Sequence, residues 1–269
     1  MFDSPRSEIQ EIRFGWKRRS MSIRIMGRYE HNGEYIEVTP SVLGLATIYD
    51  KDTYPPLPKV AKDRLRVYRE FARMLDAPKH PYLENERGIP VELLTSDRFL
   101  GRIKIDARGN AVFPHFDADG LTGFELKNRD FTGFASGGAK ALWISHTRKD
   151  DDCMVFCESA IDALSYAVLF PDDQTCYASI GGKPNPVQPE LIRAAVARMR
   201  GGSEIAAAMD ADVDGRKLAE VVKRAVEMSG RGDLRFQIHE PSEFKDWNDQ
   251  LRARPKSPLP YRPQETLTA

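Results

Sequence analysis

Acidic residues in three places carry the strongest chemical signal in the sequence. Glu158 is followed by Asp162, Asp210 is followed by Asp212, and Asp246 comes later. Each place lies just beyond an apolar stretch typical of a β-strand, and open parallel sheets bind their ligands outside the carboxyl ends of the strands. Carboxylates packed together repel one another unless a cation is present. The pattern therefore predicts a Mg²⁺ or Mn²⁺ site and metal-assisted phosphoryl or nucleotidyl transfer.

The second acidic place also has the beginning of an EF-hand calcium loop. Asp210, Asp212 and Asp214 have the spacing of the first ligands of that loop. An EF-hand also needs a bidentate glutamate at its twelfth position. Counting from Asp210, the twelfth residue is Val221 and Glu220 comes one place early. The sequence therefore disfavours an EF-hand.

The elements that position these acids alternate between strand and helix. Apolar patterning predicts strands over 153–157, 175–180, 204–209 and 234–239, separated by helices over 159–170, 189–200 and 216–229. Such alternation with short links favours a parallel sheet covered by helices, and so an α/β fold. Asp214 then has the position of an N-cap residue before the third of these helices.

The part of the chain before residue 150 has a different pattern. The spacing of apolar residues predicts a basic helix over 59–75, and residues 82–145 have the pattern of short strands joined by turns. The last stretch is rich in proline and poor in apolar residues, and we expect it to be disordered. The predicted organisation is an N-terminal region over 1–80, a smaller mixed α+β domain over 81–148, the parallel-sheet domain over 149–251 and a tail over 252–269.

Composition excludes several classes of protein. The 269 residues include 40 Lys+Arg and 40 Asp+Glu, so the chain is not uniformly basic. Cys153, Cys157 and Cys176 are too few and too scattered for a disulfide framework, and we expect no zinc site. No apolar run reaches the ~18 residues that a membrane span needs. The N-terminus has no apolar secretion signal, and we expect a cytoplasmic protein with no membrane partner.

The acidic motifs resemble those of the Toprim domain. This is the metal-binding module of bacterial primases, of type IA and type II topoisomerases and of some nucleases. Its pattern is a Glu after one strand, often in E-G-x-x-D, and D-x-D-x-x-G after a later strand. Glu158 with Asp162, and Asp210 with Asp212 and Gly215, match that spacing. The resemblance implies a Rossmann-like parallel sheet flanked by helices.

Further segments resemble the primase members of this family. Lys245-Asp-Trp-Asn-Asp249 is similar to their late acidic motif, and Tyr82-Leu-Glu-Asn-Glu-Arg-Gly-Ile89 is similar to the start of their catalytic core. Two residues depart from the family pattern. Ser159 stands where the family usually has glycine, and Asn248 stands where primases often have a second aspartate.

The resemblance and the strand-end positions together assign roles to individual residues. Glu158 is expected to act as general acid or base and as a metal ligand, and Asp210 and Asp212 are expected to hold Mg²⁺ or Mn²⁺ as catalytic residues. Asp246 is expected to complete the metal site. Asp162 and Asn248 are expected to hold the metal ligands in place without binding the ion themselves. The residues expected to contact nucleic acid or nucleotide phosphates are Arg87, Lys127, Arg129, Lys140 and Lys183.

What the resemblance implies is a primase-like protein. We expect Mg²⁺-dependent synthesis of short primers on single-stranded DNA from nucleotides, in plasmid or mobile-element replication or transfer, with a helicase or relaxase as partner. Two alternatives stay open. One is a Toprim metal-dependent nuclease, and the other is a non-catalytic nucleic-acid-binding partner of a relaxase or helicase.

Overall fold

The structure is a computed structural model. It describes residues 62–254 and, earlier in the chain, the backbone of three strands. These strands, β1 (Ser7–Lys17), β2 (Ser20–His31) and β3 (Glu34–Val38), pair antiparallel in the order β1-β2-β3. They belong to a compact unit over Met1–Val60, and Ala61–Ala269 forms a second unit. The division predicted at residues 80 and 148 stays a prediction.

The first half of the second unit contains an antiparallel sheet with the order β4-β5-β6-β7-β8. Its elements are α1 (Arg64–Ala72), β4 (Leu75–Asp76), a π-helix (Tyr82–Glu86), α2 (Val91–Leu94), β5 (Lys104–Ile105), β6 (Ala111–Asp117), β7 (Gly120–Asn128) and β8 (Phe131–Phe134). Val67 of α1 is fully buried in a small cluster with Val112 and Phe124. Helix α1 is thereby fixed to one face of this sheet.

Two predictions for this region were wrong in part. A helix was predicted over 59–75, but α1 begins at Arg64, because the Asp63 side chain accepts a hydrogen bond from the Arg66 N–H and caps the helix. Leu75 already lies in β4, and residues 59–61 lie outside the described part. Residues 82–86 and 91–94 are helical rather than extended, since a π-helix and α2 begin after Pro81 and Pro90.

The second half of the unit is the predicted parallel sheet. Its elements are β9 (Trp143–Ile144), β10 (Cys153–Cys157), α3 (Ala160–Leu169), β11 (Thr175–Ser179), α4 (Gln188–Val196), β12 (Glu204–Ala208), α5 (Val213–Met228), β13 (Arg235–Ile238) and α6 (Trp247–Ala253). The order is β13-β12-β10-β11-β9, with β10 to β13 parallel and β9 antiparallel to β11. The mixed α/β fold class is confirmed.

Helix boundaries near the predicted site differ from the predicted ones in two places. Helix α5 begins at Val213 rather than Arg216, because Asp212 is its N-cap. The expectation that Asp214 is the cap is therefore wrong. Helix α6 continues through Arg252 and Ala253, which the sequence had assigned to a disordered tail. The rest of that predicted tail, 255–269, lies outside the described residues.

The parallel sheet is covered on both faces. One face, which includes the Trp143 side chain of β9, packs against α3, α6 and the upstream residue Phe99, and the other packs against α4 and α5. The Trp143 ring lies parallel to Phe99, with centroids 6.1 Å apart, and its indole N–H donates to the Arg102 carbonyl. Within residues 62–254, no helix is both long enough and apolar enough to cross a bilayer.

A buried ion pair also joins the two halves of this unit. The Arg98 guanidinium donates to both oxygens of Asp151, at 2.7 and 2.9 Å, and the Arg148 N–H donates to the same carboxylate at 2.7 Å. Arg98 also donates to the backbone carbonyls of His146 and Asp173. Every charge of this pair is therefore matched by hydrogen bonds.

Candidate active site

Two of the predicted catalytic acids follow neighbouring parallel strands. Strands β10 and β12 are directly hydrogen-bonded, with Cys157 opposite Ala208. Glu158 comes immediately after β10, and Asp210 comes just after β12. Parallel pairing therefore brings both carboxylates to the same edge of the sheet, as the sequence pattern requires.

Asp210 is the most perturbed acid of this edge. Its side chain is buried, and Oδ1 has no hydrogen-bond partner among the residues that the structure describes. Burial raises the pKa of Asp210 to about 8, and the carboxylates of Asp162, Glu158 and Asp246 add to this shift. A carboxylate in this position is costly without a bound cation, because burial removes solvent from Oδ1 and the nearby Lys245 charge offsets the shift only in part.

Gly215 allows α5 to begin directly against the end of β12. A Cβ atom added to Gly215 would lie 2.0 Å from the Asp210 carbonyl oxygen, so any side chain would force the helix away. This close contact explains why the D-x-D-x-x-G motif has glycine at this position. It fixes the first turn of α5 beside Asp210.

Asp212 and Asp246 both serve as helix N-caps. Asp212 Oδ1 accepts hydrogen bonds from the N–H groups of Asp214 and Gly215, and Asp246 Oδ1 accepts one from the Asp249 N–H. The pKa of Asp212 is lowered, first by the Gly215 N–H bond. Its other oxygen lies 3.4 Å from Lys245 Nζ. Each cap bond uses Oδ1, so capping does not itself occupy the second oxygen of either carboxylate.

Glu158 is surrounded by a glycine turn. The N–H groups of Gly181 and Gly182 donate to the Glu158 carbonyl oxygen at 2.8 and 3.0 Å. Both glycines have positive φ, at 75° and 76°, which other residues rarely adopt. Burial raises the pKa of the half-buried Glu158 side chain, and repulsion from Asp212 adds to this.

Asp162 is buried behind the edge. Its Oδ2 accepts a hydrogen bond from Ser159 Oγ at 2.5 Å, and its Oδ1 accepts one from the Asn248 N–H at 3.3 Å. Ser159 also caps α3 by accepting from the Asp162 N–H. The serine that replaces the usual family glycine therefore starts the helix and holds this aspartate.

Asn248 connects the late motif to the upstream half of the unit. Its side-chain N–H₂ donates to the Arg87 carbonyl and to Ser165 Oγ, and its oxygen accepts from the Arg87 guanidinium at 3.2 Å. The residue is buried, and its amide is fully used. It ties α6 to Arg87, while its backbone N–H holds Asp162.

The predicted basic residues fall into separate places. Lys140 is half-buried near Glu158 and donates from Nζ to the Lys183 carbonyl at 2.7 Å. Burial lowers the pKa of Lys140, nearby Lys127 lowers it further, and Glu125 and Glu158 oppose this. The Lys183 side chain is exposed.

Arg87 and Arg129 lie together in another place. They line a separate pocket, whose residues do not include Glu158, Asp210, Asp212 or Asp246. Arg129 donates to both oxygens of Glu86, at 2.8 and 3.0 Å.

Sequence reasoning missed a buried pair next to the glycine turn. Glu125 Oε2 and His115 Nε2 are 4.0 Å apart, and within residues 62–254 neither atom has a hydrogen-bond partner. A Cβ on Gly181 would lie 2.7 Å from Glu125 Oε1 and 3.1 Å from Lys140 Cε, so these side chains meet over the turn. Residues 122–125 of β7 are all buried, so both faces of the strand are covered there, and no alternation of apolar and polar residues could have identified Glu125 from the sequence.

The edge has the chemical character of a Mg²⁺ site. Asp210 offers a buried oxygen without a partner, and carboxylate oxygens are the ligands that Mg²⁺ prefers. Within the described residues, no three His, Cys, Asp or Glu side chains are grouped closely enough to hold one ion together. The fit to Mg²⁺ therefore rests on the donor chemistry of Asp210, whose buried oxygen lacks a partner among the described residues, and not on a preassembled set of ligands.

Comparison with protein families divides the second unit into two parts. Residues 81–151 match a family described as a protein of unknown function, DUF3991. Residues 155–251 match the family described as Toprim-like, so the chain contains a Toprim-like domain and the resemblance is confirmed there. No curated protein matches the chain.

Solved structures similar to this chain include primases. A DNA primase domain from Pseudomonas aeruginosa is 17% identical, with a TM-score of 0.40, over 56% of this chain and 52% of that one. A chain from the bacteriophage T7 lagging-strand DNA polymerase complex with primase domains of two gp4 subunits, an RNA/DNA hybrid and dTTP is 18% identical, with a TM-score of 0.38. That match covers 61% of this chain and 81% of the other. This chain thus spans about half the length of the first of these structures.

Proposed function

We propose that this protein is a primase-like nucleotidyltransferase that joins nucleotides into short primers on single-stranded DNA. The observation that carries the proposal is the buried, unpartnered Asp210 carboxylate beside Glu158 at the carboxyl edge of a parallel sheet. The Toprim-like match over 155–251 supports it. We also propose a cytoplasmic setting in plasmid or mobile-element replication or transfer, with a helicase or relaxase as partner.

In this proposal each acidic residue has a defined task. Asp210 and Asp212 hold Mg²⁺, and Asp246 contributes the carboxylate oxygen that its cap bond does not use. The ion, when bound, supplies Lewis-acid stabilisation of the transferring phosphoryl group. Glu158 accepts the proton of the attacking hydroxyl, and its raised pKa suits a group that must hold and release a proton.

The surrounding residues position these groups. The Gly181–Gly182 turn fixes the backbone at Glu158, and Ser159 with Asp162 fixes the start of α3. Lys140, near Glu158, offers positive charge to the phosphates of the incoming nucleotide. Asn248 holds Asp162 from behind.

A single assay tests the proposal. Wild-type protein and the Glu158→Gln variant are incubated with single-stranded DNA, labelled nucleoside triphosphates and Mg²⁺ or Mn²⁺. We expect short labelled products from the wild type and none from the variant. If both proteins make no products although each binds DNA and metal, the protein is not a primase.

A nuclease is the second candidate. It is favoured by Asn248, because its amide oxygen accepts from Arg87 where primases often have an aspartate, so the late motif has one carboxylate fewer. The same incubation with 5′-labelled DNA and no nucleotides separates the two functions. Shortening of the DNA that disappears in Glu158→Gln would replace the primase proposal with the nuclease.

A further inference from the structure

A pocket of about 690 Å³ lies between the π-helix and the end of α6. Four arginines line it together with two glutamates. These residues are Glu84, Glu86, Arg87, Arg129, Arg252 and Arg254. The charge of the pocket is therefore net positive, although the whole chain is neutral.

The arginines come from distant parts of the chain and are held at this pocket. The Arg87 guanidinium donates to Tyr82 and Asn248, and the Arg252 side chain lies over Gly88, where a Cβ would be 3.9 Å from Arg252 Cγ. Arg254 donates to the Leu169 carbonyl at 3.2 Å. Arg252 also donates to Asp249 at 3.4 Å, in a pair that is about half exposed, and within the described residues neither Arg87 nor Arg254 is paired with a carboxylate.

Glu86 occupies the centre of this positive group. It receives two hydrogen bonds from Arg129, and the charges of Arg129, Arg87 and Arg252 all act on it. Arg129 is 71% exposed and Glu86 is 32% exposed, so their pair is open to solvent. Exposed pairs of this kind are worth only ~0.2–1 kcal/mol. An anion that binds Arg129 more tightly than Glu86 does can therefore displace Glu86.

We propose that this pocket binds phosphate groups of the substrate, with Arg252 and Arg254 as phosphate contacts and Glu86 as an occupant that phosphate displaces. The groups belong either to the backbone of single-stranded DNA or to a nucleoside triphosphate. Arginine is suited to either source, because its planar fork of donors matches phosphate oxygens. The inference deepens the proposed function, since it takes DNA and nucleotides as the substrates.

The pocket is also connected to the acidic edge. Asn248 accepts from Arg87 in the pocket wall and donates its backbone N–H to Asp162, which lies behind Glu158 and Asp210. An anion bound to Arg87 is therefore linked, through Asn248 alone, to Asp162, which supports the acidic edge. This contact places the pocket and the acidic edge on opposite sides of one buried asparagine.

Two binding titrations test the proposal, with a fluorescein-labelled oligo-dT strand and with a fluorescent ATP analogue, each over a range of salt concentrations. The test variant combines Arg252→Gln and Arg254→Gln. The control combines Lys223→Gln and Arg224→Gln, which remove the same charge from exposed positions on α5. Matched melting curves verify folding.

We expect the test variant to bind oligo-dT about tenfold more weakly. Its salt dependence should fall by about 1.4, because each phosphate contact on a single strand contributes about 0.7. The control should bind like the wild type. Glu86→Gln should tighten binding up to about fivefold, since it frees Arg129. An opposite effect of this kind does not arise from unfolding.

The outcomes separate the two phosphate sources and the two proposals. Weakening with oligo-dT alone assigns the pocket to the DNA backbone, and weakening with the ATP analogue alone assigns it to the triphosphate. Equal binding by test and control variants, or no binding of either probe by the wild type, overturns the pocket proposal. A wild type that binds either probe, more tightly than the test variant does, but makes no primer would refute only the proposed function.

Discussion

Asp151 and Asp210 are both buried carboxylates of the second unit, yet their surroundings are opposite. Asp151 is 3% exposed and receives donors from Arg98 and Arg148. Asp210 is 8% exposed, and no described residue donates a hydrogen bond to its Oδ1. Burial and neighbouring carboxylates raise the pKa of Asp210 to about 8.

The difference separates a structural charge from one that is available to a ligand. Asp151 joins the two halves of the unit, and all of its charge is used in doing so. Asp210 destabilises the fold when ionised, and only a cation from outside can reverse this. Four measurements test whether the contrast holds.

The largest effect is expected at the paired carboxylate. Arg98→Met leaves Asp151 buried without its partner, and the free energy of unfolding should fall by about 3–5 kcal/mol. Urea denaturation measures this. Arg193→Met is the control, because it breaks only an exposed pair with Glu190 and should change stability by at most about 1 kcal/mol. Equal losses in both variants would remove the contrast.

A pH dependence is expected from Asp162, whose pKa burial raises from 3.8 to about 6. The ionised form is disfavoured in the folded protein, so its contribution is fully present below pH 4 and is lost as the pH rises to about 6. Asp162→Asn should therefore gain up to about 3 kcal/mol relative to wild type over that range, at about 1.4 kcal/mol per pKa unit. Denaturation at several pH values measures the difference. Asp119→Asn, at an exposed position, should follow the wild type throughout.

Magnesium should stabilise the wild type through Asp210. At ten times the dissociation constant the gain is about 1.4 kcal/mol, which corresponds to about 2–4 °C in melting temperature. Asp210→Asn should remove this response, and Asp214→Asn, in the first turn of α5 and exposed, should keep it. A full Mg²⁺ response in Asp210→Asn would show that the unpartnered carboxylate is not the metal ligand.

The smallest effect separates capping from metal binding at Asp212. Asp212→Ala should lose about 1 kcal/mol of stability, because the N-cap bonds to α5 disappear. Asp212→Asn should retain stability within a few tenths of a kcal/mol, yet weaken the Mg²⁺ response. Thermal melts with and without Mg²⁺ measure both. Equal stability of the two variants would contradict the capping role.

The sequence predicted the acidic edge because its signals are local. Glu158 and Asp210 each follow a short apolar strand, and parallel pairing then brings them together without further information. The cap of α5 was misplaced by two residues, since Asp212 and Asp214 are both good cap residues and only the packing of Gly215 decides between them. Local patterns therefore predicted that these acids share one edge of the sheet, but not where the helix begins.

The arginine pocket was beyond the reach of such signals. Arg87 and Asn248 are 161 residues apart in sequence, and their contact depends on how α6 packs against the upstream half. Arg252 begins the proline-rich stretch that we expected to be disordered, and no sequence pattern indicated that it belongs to a helix. Contacts that depend on tertiary packing of this kind produce no periodic pattern in the sequence, so they could not be predicted from it.

Strand β9 determines where the chain can be divided by recombination or truncation. Trp143 and Ile144 lie in the segment that matches one family, yet they pair with β11 of the Toprim-like part. A fragment starting at residue 152 would lose an edge strand, the Trp143 side of its core and the Asp151 anchor. Recombination or truncation at the family boundary would therefore yield an incomplete module, and the smallest exchangeable piece must include both segments.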